Sequence, residues 1–214
     1  MTTVLVTGGT VRLGKALAAR LAADGWQVLT SSHRSDAGAD FVSDLSEPQG
    51  ADRLMASVRA RLGGRLPEAL VNNAALFTGD EAAIRAVNLW APQRLTRLMA
   101  ERAVGMGAVV NVLDATSERA DTQAPEAYRE TKRALRVLTT ENARAFAATL
   151  RVNAVSPGPV LAPTGMHEKA GAILLARRPT AEDVAAAVSF LLSAEAVTGV
   201  VLPVDAGHHL REGR

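Results

Sequence analysis

The sequence contains no cysteine, very few aromatic residues and no long apolar run. Without cysteine the chain forms no disulfide bond, has no thiol nucleophile and builds no cysteine-ligated zinc site. Its four histidines show no ligand spacing beyond an adjacent pair near the end, so we expect no metal site. Aromatic residues make up 3% of the chain and hydrophobic residues 48%, which predicts a large aliphatic core.

Neither membrane attachment nor nucleic-acid binding is indicated. No signal peptide precedes the first apolar segment and no segment is long enough to cross a bilayer, which favours a cytoplasmic protein. The 24 basic and 22 acidic residues leave a formal net charge of +2, without runs of one sign. Arginines scattered along predicted helices are unlike a nucleic-acid-binding face. We therefore expect a small-molecule partner.

Short apolar segments alternate with longer helical patterns along the chain. Strands are predicted at residues 3–6, 27–29, 40–42, 69–71, 108–113, 151–155 and 200–204, and helices at 14–23, 51–62, 81–103, 126–147 and 181–192. Such alternation is typical of βαβ units, which build a parallel sheet. Residues 1–214 are expected to form a single α/β domain, a Rossmann-like doubly wound parallel sheet of about seven strands with helices on both faces. The unpatterned segment 158–179 is expected to be a functional loop.

A glycine-rich turn follows the first predicted strand and leads into a helix, in the sequence TGGTVRLG from Thr7 to Gly14. Gly8 and Gly9 allow a tight turn whose backbone approaches a pyrophosphate closely, and Gly14 allows close packing at the start of the helix. Arg12 stands where a third glycine is more usual in such turns. The context predicts a dinucleotide site, with an ordinary strand–turn–helix as the alternative.

The only tyrosine and one of the three lysines are four residues apart, at Tyr128 and Lys132. On a helix they share one face. A phenol has a pKa of about 10, and an ammonium one turn away favours the phenolate. We therefore expect Lys132 to lower the pKa of Tyr128 and make it an acid–base catalyst. The alternative is a half-buried tyrosine beside a solvated lysine.

Together these motifs resemble the short-chain dehydrogenase/reductase family over residues 3 to about 210. Three further segments are similar to family motifs: NNAA at 72–75, SPGPV at 156–160 and VDAG at 204–207. The resemblance implies that Asn88 is an active-site residue whose carbonyl holds a water of a proton relay to the lysine. Pro92 agrees with this, because it has no N–H to donate to that carbonyl. A plain proline kink is the alternative.

Where the chain departs from the family, it resembles pteridine reductases and bacterial dihydromonapterin reductases. Asp114 occupies the place of the usual catalytic serine, and Phe77 that of an aromatic residue that stacks on a pterin ring. The segment His33–Arg34–Ser35 resembles a binding segment for the NADPH 2′-phosphate, and no carboxylate stands among residues 31–35 to repel that phosphate.

The resemblance implies an NADPH-dependent reductase that transfers hydride to a C=N bond of a dihydropterin, assembled as a homotetramer. Its predicted catalytic residues are Asp114, Tyr128, Lys132 and Asn88. Its predicted substrate contacts are Arg12, Phe77, Asp114 and Tyr128. Its predicted NADPH contacts are Gly8, Thr10, Arg12, Leu13, Gly14, His33, Arg34, Ser35, Asp44, Leu45, Asn73, Ala74, Tyr128, Lys132, Pro157 and Gly158. The alternatives are a reductase of a ketone, 3-oxoacyl or diketone substrate, and a non-catalytic NADPH-binding regulator.

Overall fold

A computed structural model describes residues 2–102, 105–118, 122–160 and 173–210. Its seven strands form one parallel sheet in the order β3-β2-β1-β4-β5-β6-β7, which confirms the predicted doubly wound α/β fold. The strands are β1 (Thr3–Thr7), β2 (Gln27–Ser32), β3 (Phe41–Val42), β4 (Ala69–Asn72), β5 (Gly107–Val112), β6 (Leu150–Pro157) and β7 (Val201–Val204).

Helices cover both faces of the sheet. They are α1 (Arg12–Ala23), α2 (Gly50–Arg61), α3 (Glu81–Arg85), α4 (Ala91–Ala100), α5 (Glu126–Ala145) and α6 (Ala181–Ser193). Successive strand residues face opposite ways. Leu5 of β1 therefore joins the core under α2 and α4, whereas Val4 and Val6 join the core under α1 and α6. Among the described helices, none combines the length and apolar character needed to cross a bilayer.

The helix predicted over residues 81–103 is interrupted. Between α3 and α4 lies a π-helical turn, Ala86–Trp90, in which the N–H of Ala91 donates to the carbonyl of Ala86, five residues back. Pro92 explains the interruption, because it cannot donate to a carbonyl four residues back and the helix shifts its hydrogen-bond pattern there. The described helix ends at Ala100, earlier than predicted.

Other element ends were predicted closely. β2 is an exception, because it runs three residues further than expected, to Ser32. Pro125 lies immediately before Glu126, the first residue of α5. α6 begins with a capping box: the hydroxyl of Thr180 accepts from the backbone of Asp183, whose carboxylate accepts from the backbone of Thr180.

The strand order places a cleft at the carboxyl ends of the strands. After β1 the chain proceeds to β2 and β3 on one side, and β4 returns to the other side of β1. Loops that leave β1 and β4 therefore diverge. In open parallel sheets, ligands bind at this point of reversal.

Candidate active site

A cleft of about 760 Å³ opens where β1, β4 and β5 end. Its walls contain every predicted cofactor contact except Ser35, which begins a short 3-10 helix, Ser35–Ala37. The walls also contain Asp114, Tyr128 and Lys132. Phe77 and Asn88 are not in the walls but contact residues that are. The fold thus gathers residues from eight separate segments of the sequence into one site.

The glycine turn is held against the end of β4 by a set of hydrogen bonds. Asn73 Nδ2 donates to the carbonyls of Thr7 (2.9 Å) and Gly8 (3.1 Å). The hydroxyl of Thr7 accepts from the N–H groups of Asn73 (3.0 Å) and Ala74 (3.1 Å). A Cβ atom at Gly14 would lie 1.9 Å from the carbonyl oxygen of Gly8, so this close approach requires glycine.

Arg12 adopts a backbone conformation that favours glycine. Its φ is +50°, in the left-handed region, and this residue opens α1. A non-glycine residue there costs about 1–2 kcal/mol. The structure explains why glycine is the usual residue at this position, and the strained arginine places its side chain at the cleft.

The end of β2 forms the far part of the cleft. The hydroxyl of Ser32 accepts from the N–H of Arg34 (3.0 Å), and His33 and Arg34 are exposed. Asp44 stands opposite and accepts from the N–H and hydroxyl of Ser46 at 2.8 and 2.6 Å. These hydrogen bonds lower the pKa of Asp44, so its carboxylate is ionised at neutral pH.

Tyr128, Asp114 and Phe77 meet at the near end of the cleft. The phenol of Tyr128 donates to Asp114 Oδ2 at 2.7 Å, and the Phe77 ring stands edge-on to the Tyr128 ring with centroids 4.9 Å apart. The other carboxylate oxygen, Oδ1, accepts from the N–H (2.8 Å) and hydroxyl (2.6 Å) of Thr116. Asp114 is therefore held in one orientation.

Lys132 is buried directly below this group. Its ammonium donates to the carbonyl of Val112 at 2.8 Å and lies 5.7 Å from the centroid of the Tyr128 ring. Tyr128 and Lys132 are 7% and 3% exposed. The alternative of a half-buried tyrosine beside a solvated lysine is therefore wrong.

The expected effect of Lys132 on Tyr128 is wrong for the protein without cofactor. Burial and then the charge and hydrogen bond of Asp114 raise the pKa of Tyr128 well above its usual value. Burial lowers the pKa of Lys132 to about 8, although Asp114 opposes that change. Loss of hydration disfavours both charged forms, and the nearby carboxylate disfavours a phenolate further.

Asn88 connects the segment that carries Phe77 to α5. Its Oδ1 accepts from the N–H of Leu76 (2.8 Å), and its Nδ2 donates to the Leu76 carbonyl (2.9 Å) and to the hydroxyl of Thr131 (3.3 Å). Asn88 is 1% exposed, so its side chain bonds other parts of the protein and is not in contact with solvent. Its predicted water-holding carbonyl stays a prediction.

The segment predicted as a functional loop begins and ends beside β7. The N–H of Gly158 donates to Val204, and a Cβ atom at Gly158 would lie 2.7 Å from the Cβ of Asp205. Residues 161–172 lie outside the described residues. The N–H of Leu174 then donates to the carbonyl of Ala206 at 2.9 Å.

Several wall residues were not predicted from the sequence. Thr116, which bonds Asp114 from outside the walls, was also not predicted. Its signal is present, because an aspartate followed two residues later by threonine is typical of a side-chain-stabilised turn. No signal indicates Val112, since it contributes a backbone carbonyl. Others in the walls are Ser31, Ser32, Ser43, Ser46 and Leu76.

Comparisons with known proteins agree with this geometry. A family model described as enoyl-(acyl carrier protein) reductase matches residues 11–209. Protein FixR of Bradyrhizobium diazoefficiens is 32% identical over 97% of this chain and 86% of its own. A protein named as ketoacyl reductase 2 of the granaticin polyketide synthase, from Streptomyces violaceoruber, is also 32% identical, over 96% of this chain and 95% of its own.

A solved structure shares the whole fold. FolM alternative dihydrofolate reductase 1 from Brucella canis, crystallised with NADP, superposes with a TM-score of 0.86. It is 29% identical, and the match covers 100% of this chain and 96% of that one.

Proposed function

Since this chain belongs to the short-chain dehydrogenase/reductase family of oxidoreductases, we propose that it is an NADPH-dependent reductase of a C=N bond in a dihydropterin. The observation that carries the proposal is the 2.7 Å bond between Tyr128 and Asp114, with Phe77 against the same phenol. Tyr128 and Asp114 lie in the wall of the cleft, and the Phe77 ring packs against the Tyr128 ring; this supports a proton donor, a carboxylate and an aromatic ring acting together.

The residues at the cleft fit NADPH. The glycines of the turn, Gly8, Gly9 and Gly14, leave little room for a side chain and expose backbone at the start of α1, which suits a pyrophosphate. Arg34 and His33 lie where β2 ends and suit the 2′-phosphate. The NADP complex of FolM supports the same cofactor here. Lys132 lies below the site at which the nicotinamide ribose would bind.

Bound NADPH supplies the hydride in this reaction. When the carbon of the C=N bond accepts hydride, its nitrogen gains an electron pair and takes a proton. Tyr128 is suited to deliver that proton, because its raised pKa keeps the phenol protonated at neutral pH. In the substrate-free protein the phenol donates this proton to Asp114, which fixes the direction of the hydroxyl.

The carboxylate of Asp114 also favours a pterin over a simple ketone. A pterin has amino and ring N–H groups that donate hydrogen bonds, and a carboxylate only accepts. The Phe77 ring would flank a flat heterocycle. Arg12 lies in the wall of the same cleft and would donate a hydrogen bond to a ring carbonyl. FolM, which is named an alternative dihydrofolate reductase, supports a substrate of this class.

A carbonyl reductase is the second candidate. It is favoured by the granaticin ketoacyl reductase, which has the same sequence identity to this chain, 32%, as FixR. A non-catalytic regulator is less well supported, because such a protein has no need to bring Tyr128, Lys132 and Asn88 together in the buried arrangement described above.

Steady-state kinetics with NADPH distinguish the two candidates. Wild-type protein is assayed on a dihydropterin, dihydrofolate, an activated diketone and a 3-oxoacyl thioester. Asp114→Ser is assayed in parallel, and it should lose pterin reduction and gain carbonyl reduction. Wild-type activity on the diketone with none on any pterin would establish the carbonyl reductase instead.

We further propose that the protein is cytoplasmic and assembles as a homotetramer. Exposed apolar side chains support the assembly. Trp90 lies in the π turn, Val137 on α5 and Phe190 on α6, the helix that packs near the edge strand β7. Light scattering at micromolar concentration tests it, and a monomer would contradict it.

A further inference from the structure

A chain of buried hydrogen bonds connects β4, β5 and α5 beneath the site. Asn72 Nδ2 donates to Asn111 Oδ1 at 2.8 Å, and Asn111 Nδ2 donates to the hydroxyl of Thr139 at 3.0 Å. Thr139 in turn donates to the carbonyl of Leu135 at 2.8 Å. Asn72, Asn111 and Thr139 are at most 3% exposed.

This chain of hydrogen bonds has a single direction. The hydroxyl proton of Thr139 is used within its own helix, so the oxygen is left as an acceptor for Asn111. The amide of Asn111 must then face Thr139 with its nitrogen and Asn72 with its oxygen. A change of register between β5 and α5 would break the bond between Asn111 and Thr139 and leave buried polar groups without a partner.

The position of Thr139 relates it to the site. Lys132 and Thr139 are seven residues apart, which on a helix is two turns, so they share one face about 10 Å apart along the axis. Their partners on β5 are adjacent: Lys132 bonds the carbonyl of Val112, and Thr139 bonds the side chain of Asn111. The helix is therefore attached to the strand at two points.

Among the other described side-chain interactions of α5, Tyr128 bonds Asp114 in the segment that follows β5, and Arg136 pairs with Glu118 of the short 3-10 helix Ala115–Glu118, so neither reaches a strand of the sheet. Thr131 accepts from Asn88, which lies in the π turn, and Glu130 pairs with Arg85 of α3 at the surface. Both partners belong to the neighbouring helical segment. The bond to Asn111 is thus the side-chain attachment that fixes α5 along β5 independently of Lys132.

We propose that Asn111 and Thr139 are positioning residues that set the register of α5 on β5, and thereby place the phenol of Tyr128 and the ammonium of Lys132. The expected loss in kcat rests on the proposed function. The structural part of the proposal concerns the free protein and is tested without a substrate.

Thr139→Val removes the hydroxyl and nearly conserves volume, and Thr139→Ser restores the hydroxyl. Thr96→Val is the matched control. Thr96 is similarly buried, on α4, and also donates to its own helix, but it meets Asn72 only at 3.5 Å, and none of its described hydrogen bonds reaches α5. Thr139→Ala replaces Thr139→Val if the valine variant does not fold.

The single tyrosine supplies the readout. In protein labelled with ¹³C-tyrosine, one NMR resonance reports the surroundings of Tyr128. We expect this resonance to move in Thr139→Val, to return in Thr139→Ser and to stay at its wild-type position in Thr96→Val. On a substrate that wild type reduces, Thr139→Val should lose about ten- to hundredfold in kcat, as small misplacements of reacting groups do.

An unchanged Tyr128 resonance in Thr139→Val, or an equal change in Thr96→Val, overturns the proposal. So does wild-type kcat in Thr139→Val. If wild type turns over no tested substrate, the proposed function fails, and the resonance still decides the positioning role.

Discussion

The hydroxyl of Tyr128 donates a 2.7 Å hydrogen bond to the carboxylate of Asp114, which lies fourteen residues earlier and on a different element. A buried phenol beside a carboxylate has a raised pKa, so it gives up its proton only when a bound substrate changes its surroundings. The pair therefore links the identity of residue 114 to the ionisation of the proposed proton donor, and the predictions below depend on that link.

Tyr128 should ionise only at strongly alkaline pH. As the protein has no other tyrosine, the ultraviolet absorbance of phenolate reports this residue alone. Asp114→Asn should lower the pKa of Tyr128, because the opposing charge is gone. Since the folded-state pKa lies above the unfolded value of about 10, this group's contribution to stability is intact below that pH and is lost as pH rises through the folded pKa. Equal titration curves for wild type and Asp114→Asn would contradict the assigned cause.

Lys132 should lose its proton near pH 8 in the cofactor-free protein. Its folded-state pKa is depressed, so the unfolded chain binds more protons above pH 8 and the free energy of unfolding should rise there with pH. With ¹³C-lysine labelling, only three residues give signals, and Lys132→Met identifies the relevant one. A Lys132 signal that titrates with those of free lysine would show that its burial has no such effect.

Tyr128→Phe should retain NADPH binding and lose turnover by about 10²–10⁴-fold, because it removes a proton donor and little volume. Lys132→Ala should weaken both, since the ammonium is placed to bind ribose and is attached to β5. NADPH fluorescence titration and steady-state kinetics give the two quantities separately. Wild-type turnover in Tyr128→Phe would remove this residue from the mechanism.

Arg34→Ala should weaken NADPH binding and leave NADH binding nearly unchanged. Loss of a charge-assisted hydrogen bond to the 2′-phosphate costs about 1.5–3 kcal/mol, or more than tenfold in affinity. Arg20→Ala serves as control, because Arg20 is an exposed arginine near the far end of α1 that pairs with Asp24. Equal losses for the two cofactors, or for the two variants, would argue against a phosphate contact.

Arg12→Gly should raise stability and lower function. Glycine relieves a left-handed conformation that costs about 1–2 kcal/mol, but the variant loses a cation from the cleft. Ala206→Gly is the matched control, because Ala206 has φ of +54° and lies outside the cleft walls. It should raise the melting temperature without affecting kinetics. A fully active Arg12→Gly would leave the strained arginine without a functional reason.

The order of the elements was determined by local sequence patterns. Apolar strand segments and longer helical patterns are short-range properties, and they were sufficient to predict the parallel sheet. The interrupted helix illustrates the limit. Pro92 indicated a free carbonyl, but the π turn that accommodates it depends on packing of α3 and α4 against α5.

The properties of the site likewise divide into those that local sequence determines and those that depend on the tertiary structure. The sequence by itself determined which residue types are present: the glycine turn, the paired Tyr128 and Lys132, and the aspartate at position 114. Only the tertiary structure decided their chemistry, because a pKa depends on hydration and on neighbours distant in sequence. Burial and Asp114 outweigh the nearby ammonium at Tyr128, and the carbonyl of Val112 and the Asn111–Thr139 bond fix the helix that carries it.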